Sequence, residues 1–138
     1  MTAITPAATP TTIYPPLRAS WGEDTCDPAD RGDWSARNPA RGQCGVTSLV
    51  LQDLLGGELV LGEVLRDGVR HGVHYWNRLP GGAEIDLTRE QFQIGEEVVG
   101  GHVVPRPPDG PRRCREQYEL LRTRVFARLK RDTVTFRH

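Results

Sequence analysis

The clearest rhythm in the chain is at Val46, Leu49, Val50 and Leu54, an i, i+3, i+4 spacing that gives a helix one apolar face. The pattern predicts a helix starting near Gly42 or Gln43 and ending at Gly56-Gly57, the usual glycine stop. "ELVLGEVLRDG" follows as a strand rich in Val and Leu that ends in an Asp67-Gly68 turn signal. "VRHGVHYWNRL" predicts a second strand, Pro80 to Gly82 a tight turn, and "AEIDL" a third strand. Thr88 and Gln91 stand at capping-box spacing, so a short helix is expected after Asp86. "VVPRPPDGPRR" is a Pro-rich connector. From about Arg113 to Arg131 a long helix carries Tyr118, Leu121, Val125 and Leu129 on one stripe, with arginines on its solvated remainder. Upstream, from about Leu17 to Arg41, Trp21 and Trp34 lie among Asp, Gly and Pro. That stretch reads as irregular structure or a short helix pinned by aromatic packing. No internal repeat interrupts this order. An early helix, a small antiparallel sheet and a closing helix make an α+β fold.

The length of 138 residues suits one domain. Residues 1–16 are dominated by Thr, Ala and Pro and predict a flexible or extended N-terminal arm, with a single α+β domain over 17–138. Formal net charge is zero, so electrostatics gives no reason to expect a nucleic-acid or membrane partner. No apolar run approaches about 18 residues. The first residues lack the basic and apolar regions of a secretory signal, which points to the cytoplasm. Three cysteines, an odd number in a reducing compartment, argue against a disulfide framework and leave Cys26 and Cys114 as free thiols.

Cys44 stands out because it falls between a breaker-rich approach (Asn38, Pro39, Gly42) and an apolar helix. It is either a small core residue or a nucleophile at the positive end of that helix. A thiol attacks as the thiolate, and a helix N-terminus or a neighbouring histidine favours that form. The first-turn N–H groups have no helical partner and form a ready oxyanion site. Gly42 and Gly45 allow close approach of a substrate. Gln43 either offers a side-chain N–H to the oxyanion or is a polar first-turn residue. Of the four histidines, His138 is terminal and expected to be disordered, His102 lies among glycines, and His71 and His74 face opposite sides of one strand. Pairing about a turn centred on Pro80 places His74 opposite Asp86 on the same face. Asp86 would then fix the imidazole, leaving its other nitrogen for the Cys44 proton. A plain structural His–Asp pair is the alternative. Trp76 and Arg78 share the face of His74 and are candidate substrate contacts, while Tyr75 and Asn77 point the other way.

The stretches "NPARGQCGVTSLVLQDLLGGEL", "HYWNRL" and "EIDLTREQF", in that order and spacing, resemble the YunG-like family of small bacterial proteins, over about Trp21 to Phe92. More broadly, a helix-borne Cys, a strand His and a next-strand Asp are similar to the papain-like and transglutaminase-like superfamily, whose triad performs acyl transfer through a thioester. That resemblance implies a papain-like core, with Cys44 as nucleophile, His74 as general base and acid, and Asp86 as orienter. It implies a thiol-dependent hydrolase or acyltransferase acting on a small-molecule or peptide amide, ester or thioester, with no cofactor. The competing expectation is a non-catalytic binding or regulatory module on a peptidase-like fold. A zinc site built from Cys44, His74 and Asp86 lacks the closely spaced ligand pair that usually anchors one. The oligomeric state is not legible.

Overall fold

A computed structural model describes residues 8–108 and 113–135. The fold is α+β. Helix α1 (Pro10–Ser20) precedes two short 3-10 turns, Glu23–Thr25 and Pro28–Asp33. Helix α2 (Cys44–Leu55) leads into β1 (Glu58–Arg66), β2 (Val69–Arg78) and β3 (Glu84–Ile85). A 3-10 turn at Arg89–Gln91, strand β4 (Glu96–Val104) and helix α3 (Arg115–Thr135) complete the chain. The sheet is antiparallel in the order β3-β2-β1-β4.

The N-terminal arm needs correction from residue 10 onward, because α1 is a docked helix. Thr9 caps it, accepting from the Thr12 N–H while the Thr12 side chain accepts from the Thr9 N–H. Pro10 fits the first turn, where its missing N–H costs nothing. Pro15 and Pro16 interrupt the hydrogen-bond ladder further in, yet Ile13, Pro16 and Leu17 are buried. Tertiary burial outweighs the proline penalty, which composition alone does not reveal.

Strand β4 replaces part of the expected connector. Its Gly100-Gly101 pair obscures the alternation, and its ladder with β1 slips between Leu61 and Glu63. Gly101 is there for space. A Cβ on it would stand 2.7 Å from the Trp76 ring, and one on Gly62 would stand 2.8 Å from the same ring.

One face of the sheet and the three helices enclose the core. Ile13, Leu17, Val50, Leu51, Leu59, Leu121 and Val125 are its buried centre. The α3 stripe enters as expected, with Tyr118, Leu121 and Val125 buried and Leu129 packed against them. Its arginines are less idle than expected. Arg122 pairs with Asp53 at 3.3 Å, and Arg124 clamps Asp24 while donating to the Ser20 carbonyl at 3.2 Å. Both tryptophans are anchors. Trp21 donates to Thr47 Oγ1 at 2.9 Å and Trp34 to the Pro39 carbonyl at 3.1 Å. His138 lies outside the described residues. Among the described residues no helix is long and apolar enough to cross a membrane.

Candidate active site

Cys44 is the first residue of α2, with Gln43 as its N-cap. The first helical hydrogen bond runs from Thr47 N–H to the Gln43 carbonyl at 2.9 Å. The N–H groups of Cys44, Gly45 and Val46 therefore precede the ladder and are available to an anion. The approach to the helix is a tight loop. Gly42 adopts φ +71°, its carbonyl accepts from Asp27 N–H at 2.9 Å, and the Cys26 sulfur packs directly beneath it.

His74 is 1% exposed. Its ring and that of Phe92 meet at nearly a right angle with centroids 4.7 Å apart, and Trp76 stacks on it at 5.7 Å. Its Nε2–H donates to Asp86 Oδ2 at 2.7 Å. The expected pair is present although the register differs. Ile85 pairs with Asn77 and Glu84 with Arg78, two residues away from the register that set His74 opposite Asp86. A shift of two keeps every side chain on its face, so the diagonal contact survives where a shift of one would have lost it. The strand is also too short to pair with His74, since β3 ends at Ile85.

Asp86 is itself held. Its Oδ1 accepts from the Thr88 N–H at 3.2 Å and from the Thr88 hydroxyl at 3.3 Å. Gln91 Nε2 donates to Thr88 Oγ1 at 3.1 Å, and Gln91 Oε1 accepts from the Gly42 N–H at 3.3 Å. Thr88 and Gln91 thus do pair, through their side chains and not as a capping box. The result is one relay from the carboxylate that holds the imidazole to the loop that carries the thiol. Spacing showed Thr88 and Gln91, but their role in the site could not be read from it.

The other imidazole nitrogen, Nδ1, is buried without a hydrogen bond of strict geometry. Cys44 is the second group that acts on this ring. Burial disfavours the imidazolium, but hydrogen bonds with Asp86 and then Cys44, together with the charges of both, outweigh it and lift the His74 pKa to about 9. The sign of the stability effect follows. A histidine raised from its ordinary 6.5 stabilises the fold fully below that value and loses this contribution as pH climbs through about 9. Urea midpoints are expected to fall between about pH 6.5 and pH 9. That slope is expected to shrink in His74→Gln; an unchanged slope would remove His74 as its source.

Cys44 also borders a cleft of about 360 Å³ with Gly45, Val46, Val73 and Tyr75 among its walls. Its charge contributes, after burial, to a raised Tyr75 pKa, as expected of near neighbours. Cys44 is partly exposed, whereas Cys26 is fully buried and pushed up to about 12 by desolvation and then by Asp30 and Asp27. Burial also raises Cys114, with Asp27 adding to it. All three cysteines are free.

Three expected contacts are corrected. Gln43 is fully buried, donating through Nε2 to the Gly22 carbonyl at 3.0 Å and accepting from the Thr25 hydroxyl at 2.8 Å, so its amide holds the loop and does not line the cleft. Trp76 donates to Glu84 Oε1 at 2.6 Å, and Arg78 pairs with the same carboxylate at 3.3 Å. Neither borders the cleft, whose β2 walls are Val73 and Tyr75; His74 and Asp86 do not border it either, so of the three expected triad residues only Cys44 lines it. Gly45 does line it. Among the described residues no three His, Cys, Asp or Glu side chains are grouped to hold a metal ion.

The family model described as YunG protein matches residues 9–130. A relative named "Uncharacterized protein YunG", from Bacillus subtilis (strain 168), is 35% identical over 77 residues, 56% of this chain. The chain spans 57% of that relative's length. No solved structure matches.

Proposed function

The chain belongs to the YunG family, and from that premise and the site geometry we propose that it is a thiol-dependent hydrolase or acyltransferase with a papain-like arrangement. The observation that carries this reading is the His74–Asp86 bond at 2.7 Å on a buried imidazole whose Nδ1 is left without a partner, with Cys44 at the first turn of α2. With a pKa near 9 the imidazole holds its proton at neutral pH, the charge state in which an imidazole favours attack by a thiolate. The thiolate attacks the carbonyl carbon of an amide, ester or thioester. The C–S bond forms, and the carbonyl electron pair moves to oxygen, facing the free N–H groups of the first turn. His74 delivers its Nδ1 proton to the leaving amine, alkoxide or thiolate as that bond breaks. Water or an amine then attacks the thioester, gives its proton to His74, and expels the Cys44 thiolate.

Treatment with an activated ester is expected to add one acyl mass to the protein, located on Cys44 and absent from Cys44→Ser. Iodoacetamide is expected to label Cys44 before Cys26 and Cys114, whose thiols are held protonated by burial. Equal labelling of the three in folded protein, with no acyl adduct, would count against the reading.

A further inference from the structure

The cleft over Cys44 has two unlike ends. One wall is apolar, built from Val46, Leu49, Leu59 and Val104. The other end is lined by Asp27 and Asp30 together with Arg113. These two acids are not equally satisfied. Asp27 receives Arg113, whose Nε donates at 3.2 Å and whose second nitrogen closes the fork, and it also accepts from the Ala29 N–H at 2.9 Å. Asp30 has only Arg41 Nε at 3.8 Å, too far for a hydrogen bond.

Arg41 is itself oversubscribed. Its NH1 donates to Glu96 at 3.0 Å, where the Glu96 side chain is 1% exposed, and its NH2 lies 3.8 Å from Asp33. One buried guanidinium thus serves three carboxylates, and its Nε has no hydrogen-bond partner. Of the two acids at the cleft, Asp30, with a side chain 38% exposed, is the one without a hydrogen-bonded cation. Desolvation raises its pKa; Arg41 and, more weakly, His71 offset this in part, and Asp27 and Asp33 add to the rise. A cleft of about 360 Å³ falls at the small end of ligand sites, the size of a small molecule or a single side chain.

We propose that the substrate is an acyl compound with an apolar body that lies along Val46, Leu49 and Leu59 and a cationic ammonium or guanidinium group that pairs with Asp30. The proposal rests on the acyl-transfer reading above, and Asp30 is its specificity-determining residue. A neutral or anionic substrate of the same shape leaves the Asp30 carboxylate without a partner or sets it against a like charge.

The test uses p-nitrophenyl esters of aminohexanoate, heptanoate and pimelate, which share a chain length and differ in terminal charge. Nitrophenolate release and the acyl mass on Cys44 are followed for wild type, Asp30→Asn and Asp30→Lys. All three proteins are first checked for the same thermal midpoint and circular dichroism. Wild type is expected to prefer the cationic ester over the neutral one by about tenfold. Asp30→Asn is expected to bring that ratio near one, and Asp30→Lys to favour the anionic ester. Equal rates for the three esters in wild type overturn the cation site and leave acylation standing. No acylation by any ester overturns the acyl-transfer reading instead. In that event hexylamine and hexanoate binding to wild type and Asp30→Asn, read by calorimetry, still decides the site. Preference for the amine that the substitution removes supports it, and equal binding overturns it.

Discussion

Replacing His74 with alanine is expected to slow acylation of Cys44 by roughly 10²- to 10⁴-fold, the usual contribution of a placed acid–base group. The loss has two parts. On the proposed mechanism, attack at the carbonyl would lose a cationic neighbour and the leaving group would lose its proton donor. His74→Gln fills more of the space between Phe92 and Trp76 but cannot carry charge, so it is expected to match the alanine variant in rate while melting closer to wild type. In wild type the alkaline limb of the rate profile is expected near the His74 pKa of about 9. Asp86→Asn removes one of the influences that raise that pKa, so its limb is expected to move to lower pH. Single-turnover nitrophenolate release across pH measures both effects. Rates like those of wild type in both His74 variants would show that the imidazole has no part in the chemistry.

The second large effect is structural. Gly42→Ala is expected to destabilise the protein by about 2–5 kcal/mol, combining a left-handed backbone with overpacking. The position has φ +71°, and an added Cβ would lie 2.5 Å from the Cys26 sulfur and 2.8 Å from the Asp30 Cβ. Cys26 is fully buried and Asp30 belongs to the turn that Asp27 caps, so neither yields freely. The strain falls two residues before Cys44, and a protein that still folds is expected to acylate slowly. Urea unfolding of wild type and variant gives the stability change. A loss below about 0.5 kcal/mol, the range of an ordinary surface substitution, would mean the loop shifts without resistance.

Local periodicity was sufficient where burial follows one face. The α2 rhythm, the α3 stripe and the β1–β2 hairpin could all be read directly, and strand parity placed His74, Trp76 and Arg78 on one side and Tyr75 on the other. Parity does not say on which side a cleft opens. Helix α2 packs on the Asn77 side, where Asn77 Nδ2 donates to the Ser48 carbonyl at 2.9 Å, and the cleft beside its first turn takes Tyr75 and not Trp76. Gln43 shows a second limit. The same amide could face an oxyanion or brace a loop, and only tertiary contacts with Gly22 and Thr25 decide. Helix α1 was hidden by its Thr and Pro content, although the Thr9 and Thr12 pair is a capping signal in hindsight. Strand β4 was hidden by a ladder irregularity and two glycines, which break the alternation that reveals a strand.

The Gly42–Gln91 bond closes a span of 49 residues that contains α2, the hairpin and β3. Closure of so long a loop has an entropic cost that only the packed sheet between its ends can offset. The relay joining acid and thiol therefore belongs to a late stage of folding. A half-folded chain would hold Cys44, His74 and Asp86 without the relay that ties the Asp86 turn to the Gly42 loop.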